Sequence, residues 1–376
     1  VKNSTTANTF ALNAGKFSVG KLTNQGKVTL TDGEEFTLTG EGANASGAEI
    51  TLASSKEYAS LVVAEGASLQ NQGSITATDG EGKIYVGGTL TNLPKIEAVG
   101  GNKAVDAGTI TAAAVEVDGV LSTALDTATY DVAETTINTA GELQTSLNAI
   151  LDPTNATATT PKDALEIANT INLEGKITTA AGAEVQDYIV NINATDGAFT
   201  LKADKTFNTV QVKAGAFATD DADVTLSVLD VKDAGTAKVN GGTLNVTTLK
   251  TVAEKSVTVE DGTLATSLTG LGLKYTDSGF APADATTAGA GKVANKSIVL
   301  KTSSLLDLDL GSVTEVTSAQ LSGLTGLVSD DTKGLIDIGA TKIKDVEAKI
   351  EGGKIAYTEL SSIAGVTNDT IKSVTV

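Results

Sequence analysis

A short phrase recurs in the first quarter of the chain. Lys21-Leu22-Thr23-Asn24-Gln25-Gly26-Lys27-Val28-Thr29-Leu30 returns as Ser68-Leu69-Gln70-Asn71-Gln72-Gly73-Ser74-Ile75-Thr76-Ala77. A third copy, Thr89-Leu90-Thr91-Asn92-Leu93-Pro94-Lys95-Ile96-Glu97-Ala98, has Pro94 where the others have Gly. The leucines Leu22, Leu69 and Leu90 lie 47 and 21 residues apart, close to two periods and one period of a coil of roughly 20–24 residues. Repetition at such a period marks a solenoid, in which each unit buries its apolar face only by stacking on the next. A solenoid is a rod, so the phrase points to a structural or display role. It carries no chemistry of its own.

Composition narrows the function classes. The 376 residues include no Cys, Met, His, Trp or Arg, and every cationic side chain is Lys. Without His the chain lacks the usual general base and the commonest metal ligand, which excludes ordinary serine triads and zinc sites. Without Arg it lacks the bidentate clamp for carboxylate or phosphate. The expectation is therefore a protein that is not an enzyme and holds no cofactor. A net charge of −19 argues against nucleic-acid binding, which needs a basic face. No run approaches the about 18 apolar residues of a membrane span. The chain starts at Val1 and has no Met, from which we expect export with removal of a leader. Aromatic residues make up 3% of the chain, so the core must be aliphatic, as thin layers of β-branched side chains provide.

Alternation predicts strands at Lys27-Val28-Thr29-Leu30-Thr31, Glu35-Phe36-Thr37-Leu38-Thr39, Glu49-Ile50-Thr51-Leu52 and Ser74-Ile75-Thr76-Ala77-Thr78. Asp32-Gly33 and Asp79-Gly80 follow the phrase at one offset and suit turns. Asn24 and Asn71 hold equivalent places, either as a stacked amide ladder or as plain turn residues. From residue 135 the pattern changes. Thr139-Ala140-Gly141-Glu142 has capping-box spacing and Leu143, Leu147, Ile150 and Leu151 follow at helical spacing, with Pro153 as the stop. Thr160-Pro161-Lys162-Asp163 offers a second helix start, with Ala164, Leu165, Ile167 and Ala168 as its buried side.

These residues, followed by Ile171-Asn172-Leu173 and Lys176-Ile177, resemble the opening of a right-handed parallel β-helix domain, in which an amphipathic helix caps the first coil. The Leu-x-Asn-x-Gly-x-Ile phrase is similar to the passenger domains of autotransporters and to filamentous haemagglutinin-like adhesins. That resemblance implies a secreted bacterial surface protein. Polysaccharide lyases share the architecture, but their catalytic Arg has no counterpart here.

Further on, Thr225-Leu226-Ser227-Val228, Thr243-Leu244-Asn245-Val246 and Thr263-Leu264-Ala265-Thr266 predict strands on a shorter rung. Residues 270–296 read as a long loop or an insertion, and Thr317-Ser318-Ala319-Gln320 is another capping box, leading into Leu321 and Leu324. The expected fold is mainly β, with parallel β-helix regions and a short helical cap or hinge; tandem β-sandwich domains are the rival. The expected regions are a solenoid over 1–132, a helical cap over 133–170, and a second β-rich region over 171–376.

The candidate sites are of two kinds. Strands at either end, with Phe10 and Leu12 at one and Ile371, Val374 and Val376 at the other, could pair with another copy by strand exchange. The acids Asp220, Asp221, Asp223, Asp307, Asp309, Asp330 and Asp331 are weak Ca²⁺ candidates, set against plain solvated turn acids. Asp307 and Asp309 alternate with Leu306, Leu308 and Leu310, so they belong on the outer side of a strand. Sequons at Asn3, Asn44, Asn155, Asn193, Asn245, Asn295 and Asn368 permit glycosylation without indicating it. The function expected is a self-assembling subunit of a surface fibre, filament or S-layer, whose partners are copies of itself. A surface adhesin for a host or carbohydrate ligand is the alternative, with an acidic-residue glycosidase third.

Overall fold

The alternating stretches are strands, and they stack. A computed structural model describes the chain except residues 6–7, 14, 32–34, 54–58, 78–81, 99–102, 152–160, 185–187, 284–292, 322–323, 325, 340, 344–353 and 357–376. Nearly every strand pairing is parallel, as in a β-solenoid. The described residues form two compact units: Val1–Asn148 with Leu165–Val185, and Ala149–Ala164 with Gln186–Val376.

In the first unit each coil contributes three short strands, and each strand alternates buried with exposed side chains. Inward positions therefore stack into columns. One column runs Phe10, Val28, Ile50, Ile75, Ile110, Tyr130. A second runs Phe17, Phe36, Leu61, Ile84, Val115, Thr135, Ile171. A third begins with Leu22 and Gly42 and continues through Leu69, Leu90, Leu121, Leu143 and Ile177. Burial of one such aliphatic side chain contributes about 1.5–3 kcal/mol, so cohesion accumulates coil by coil. Gly42 is the one gap in the leucine column. A Cβ there would lie 2.6 Å from Leu38 Cδ2 and 2.9 Å from Leu69 Cδ1, so the neighbouring leucines already fill the space.

Two columns explain each other. Tyr130 is the only tyrosine in its column and Thr135 the only polar residue in the next. The two hydroxyls meet inside the coil at 2.7 Å. Burial pushes the Tyr130 phenol above its ordinary range, so it stays neutral.

The corners explain the rest of the repeated phrase. Asn24 and Asn71 do form an amide ladder, and it is longer than the phrase suggests. Asn3 Nδ2 donates to Asn24 Oδ1, Asn24 to Asn44, Asn44 to Asn71 and Asn71 to Asn92, at 2.8–3.0 Å. Asn92 then donates to Thr123 Oγ1 at 3.3 Å. Each amide also donates to a backbone carbonyl of an adjacent coil, as Asn71 does to Thr109 at 3.0 Å. All five asparagines are buried. The glycine of the phrase is required by close approach. A Cβ on Gly73 would sit 2.2 Å from the Ala48 carbonyl oxygen, which belongs to the coil below.

The helical expectation for 133–170 is overturned over the described residues of that range. Tyr130–Ile137, Glu142–Thr145, Asn148–Leu151 and Pro161–Ile167 are strands. Thr139 to Gly141 is a coil corner, where the Gly141 amide bonds the Asn138 carbonyl at 2.7 Å. Leu143 belongs to the leucine column and not to a helix face. Leu147 falls in the connection between Glu142–Thr145 and Asn148–Leu151, whereas Ile150 and Leu151 lie on the next strand, so residues of separate elements imitated helical spacing. Ala164, Leu165 and Ile167 are buried, but on a strand. Pro153, Asp32-Gly33 and Asp79-Gly80 lie outside the described residues.

The second unit uses longer strands, notably Lys205–Asp220, Val224–Thr251 and Val257–Ser267, whose register shifts between Val212 and Ala214 and again between Val239 and Thr243. Leu244, Leu264, Leu306 and Ile336 form one column, and Phe199, Phe217, Ala237, Val257 and Ile298 another. The pairing of Thr243 with Thr263 follows the spacing in the sequence, whereas Thr225 lies beside Thr206.

Of the loop or insertion expected over 270–296, the described part contains an antiparallel hairpin, Leu273–Thr276 with Gly279–Pro282. The capping box forms as expected on the helix Ser318–Leu321. Thr317 N–H donates to Gln320 Oε1 at 2.7 Å and the Gln320 amide to Thr317 Oγ1 at 3.2 Å.

Candidate assembly edge and surface groove

Strand Thr9–Leu12 pairs with Lys27–Leu30, and Lys2–Asn3 with Thr23 and Asn24. Among the described residues no strand pairs with the other edge of either. Phe10 and Leu12 are half-buried, with Phe10 packed on Phe17 at 5.7 Å between ring centroids. The amide ladder also has a direction: every Nδ2 donates onward from Asn3, so Asn3 is its acceptor end. An edge of this kind is a template for an added parallel strand. Ile371, Val374 and Val376 lie outside the described residues.

The acidic candidates do not gather. Asp220 Oδ1 accepts from Asn240 Nδ2 at 2.7 Å, and Asp221 occupies a left-handed turn with φ 52°. Asp223 Oδ1 accepts the Thr243 amide at 2.8 Å, while the Asp223 amide bonds Asp204 Oδ1 at 2.8 Å. Asp330 and Asp331 pair with Lys296 and Lys255 at 2.7 and 2.6 Å, and the hydrogen bond from Lys255 lowers the Asp331 carboxyl. Among the described residues no three acidic side chains converge on one point that could hold a metal ion. These acids act as turn and coil-to-coil acceptors. The sequons at Asn3 and Asn44 are closed to glycosylation in the folded chain, because both side chains are buried in the ladder.

Among the described residues, the carboxyl held furthest below its ordinary range is Glu142. Burial pushes it up. Hydrogen bonds from Lys176 (2.8 Å), Thr178 (2.7 Å) and Gln144 (3.0 Å) outweigh that and hold it at about 2. Its partners stand on the next coil and beside it on its own strand, so it too is a cohesion element.

Asp307 and Asp309 stand on the outer face of Ser304–Asp309, with Leu306, Leu308 and Leu310 buried beneath, as the alternation predicts. Asp307 lies beside Ala265 and Asp309 beside Ser267, and Asn245 is the next neighbour of Ala265. Together they floor an open groove of about 320 Å³. It continues, through Ser267 and Asp309, into a second part of about 400 Å³ walled by the hairpin residues Leu273, Lys274 and Tyr275. Sequence reasoning placed the two acids correctly but missed the groove, since its parts come from four separated segments.

No family profile, curated protein or solved structure matches the chain. Its architecture therefore rests on its own geometry: a nearly all-β chain of stacked parallel strands. Among the described residues no helix is long and apolar enough to cross a membrane.

Proposed function

We propose that this chain is a non-enzymatic structural subunit of an extracellular surface assembly, a fibre, filament or S-layer, joined by strand addition between copies. The observation that carries the reading is the coil-to-coil ladder of buried amides and aliphatic columns. It directs the buried polar residues of the first unit to cohesion rather than to chemistry. The edge at Thr9–Leu12 and Lys2–Asn3 is the proposed joint, with the segment 369–376 of another copy as the proposed incoming strand. The acidic surface keeps single subunits apart at low ionic strength, and cations that screen it favour assembly. The likeness of the repeated phrase to autotransporter passengers and filamentous haemagglutinin-like adhesins agrees with a secreted bacterial surface location after removal of a leader.

Negative-stain electron microscopy tests this directly, on the full chain, on chains lacking residues 1–14 or 369–376, and on Phe10→Asp/Leu12→Asp. The expected result is ordered polymers from the full chain, promoted by added salt, that vanish in the variants while circular dichroism still reports β structure. Dispersed particles from the full chain under every condition would overturn the reading. A second reading, a surface adhesin, is favoured by one observation, the groove over Asp307 and Asp309.

A further inference from the structure

We propose that this groove in the second unit is a binding site for an extended, uncharged glycan. The floor is the outer face of a parallel sheet, where neighbouring strands place side chains side by side at roughly 4.8 Å intervals. Asp307 and Asp309 stand roughly 7 Å apart along one strand, as two residues of strand rise require. Both are exposed acceptors, and Asn245, Thr247 and Ser267 beside them can both donate and accept. Ala265, set between Asn245 and Asp307, keeps the middle of the floor low.

The wall supplies the complementary apolar surface. Tyr275 lines the groove, and its ring is fixed from behind. It packs on Phe280 at 5.6 Å, and its hydroxyl donates to Gln320 Oε1 at 3.0 Å. Gln320 is itself pinned by the capping box and by donating from Nε2 to the Asp277 carbonyl at 3.1 Å. An aromatic ring held by its supports is the pre-organised element that a binding groove needs. The hairpin is thus clamped to the helix through one glutamine.

The chemistry of the lining selects the ligand. Two carboxylates that only accept hydrogen bonds require a ligand rich in donors, and with Lys274 as the one cation in the lining the groove stays net negative, which disfavours anions, as does the net charge of −19. An extended peptide would seek an open strand edge, whereas this floor is a sheet face, whose backbone groups are already paired. A hydroxyl-rich chain with an apolar ring face matches both surfaces: hydroxyls on the aspartates and the amide, ring carbons on Tyr275. The site lies wholly in the second unit and does not depend on whether copies assemble.

Isothermal titration of the full chain with cellohexaose, maltohexaose and hexa-N-acetylchitohexaose tests the proposal, with hexagalacturonate as the anionic probe. At least one neutral hexamer is expected to bind with single-site stoichiometry at submillimolar affinity, and hexagalacturonate not at all. Asp309→Asn preserves the Oδ1 that accepts the Gly311 amide at 2.7 Å, so the turn survives. It is expected to weaken binding at least about tenfold. Tyr275→Ala should abolish binding, and Tyr275→Phe should retain it to within about threefold, because the ring is kept. The proposal is overturned if no neutral hexamer binds at millimolar concentration, if hexagalacturonate binds better, or if Asp309→Asn binds as the native chain does. Because Asp309→Asn leaves residues 1–14 untouched, electron microscopy of that variant reports assembly separately.

Discussion

The two units solve one problem, the polar residue inside a stack of coils, in different ways. In the first unit the same side chain recurs at one corner, and Asn3, Asn24, Asn44, Asn71 and Asn92 complete one another. In the second, Asn191, Gln211 and Asp230 stack in register and are all buried, but they are different side chains. Gln211 Nε2 reaches Asp230 Oδ2 only at 3.3 Å, and Gln211 Oε1 and Asp230 Oδ1 accept no hydrogen bond. The second unit instead ties its coils at an exposed corner, where Asp204 and Asp223 each accept a backbone amide from the coil above. A ladder of identical amides is self-satisfying because each member is both donor and acceptor; a mixed column leaves atoms over. Even the first unit shows the limit of its ladder. Thr145, on the coil after Thr123, has a buried hydroxyl with no partner.

The sharpest way to break this comparison is Asn71→Ala. It removes the acceptor for Asn44 and the donor to Asn92 and Thr109, so several buried groups lose partners at once. We expect a loss of roughly 3–5 kcal/mol, read as a lowered urea midpoint with hydrogen exchange concentrated near residues 44 to 92. A loss below about 1 kcal/mol would mean that water replaces the ladder.

Next in size is the Tyr130–Thr135 pair. Tyr130→Phe should cost about 1–2 kcal/mol by leaving the Thr135 hydroxyl unsatisfied, and adding Thr135→Val should restore most of it. Additive losses in the double variant would refute the pairing.

The second unit should respond with the opposite sign. Thr219 is fully buried in the column between Leu201 and Val239, and its hydroxyl has no partner. Thr219→Val should therefore stabilise by about 1 kcal/mol, seen as a higher melting temperature. Destabilisation would show that the hydroxyl is solvated.

The smallest effect concerns pH. The Glu142 carboxyl titrates at about 2 in the folded chain against 4.5 ordinarily, so its contribution is complete above pH 4.5 and is lost as pH falls toward 2. Since Lys176 is half-exposed, we expect Glu142→Gln to cost only about 0.5–1 kcal/mol at neutral pH. The gap between the variant and the native chain should close on acidification; a gap independent of pH would assign the loss to packing.

Much of this molecule could be read from residues. Period-2 alternation located strands such as Glu49–Leu52 and Ser74–Ala77, because a side chain's face on a strand depends only on parity. The capping box at Thr317 was legible because it lies within four residues. Asn44 was not, since its coil has Gly42 where the phrase has Leu, and only the neighbouring leucines Leu38 and Leu69 make that substitution tolerable. The false helix at 139–151 arose because Leu143 on one strand, Leu147 in the connection, and Ile150 and Leu151 on the next strand fall three or four residues apart.

The sequence alone determined the local choices: strand or turn, inward or outward, and a coil period that demands stacking. Tertiary structure decided everything that depends on which coil lies above which. Segments of unequal length separate stacked neighbours, so Asn71 lies 21 residues from Asn92 and 27 from Asn44, while Asn92, across residues 93–108, lies 31 from Thr123. Loop length costs little free energy, so the chain carries no record of register beyond the side chains that meet. The groove has the same origin. Asn245, Ser267, Tyr275 and Asp309 share a surface only because coils of unequal length were laid side by side.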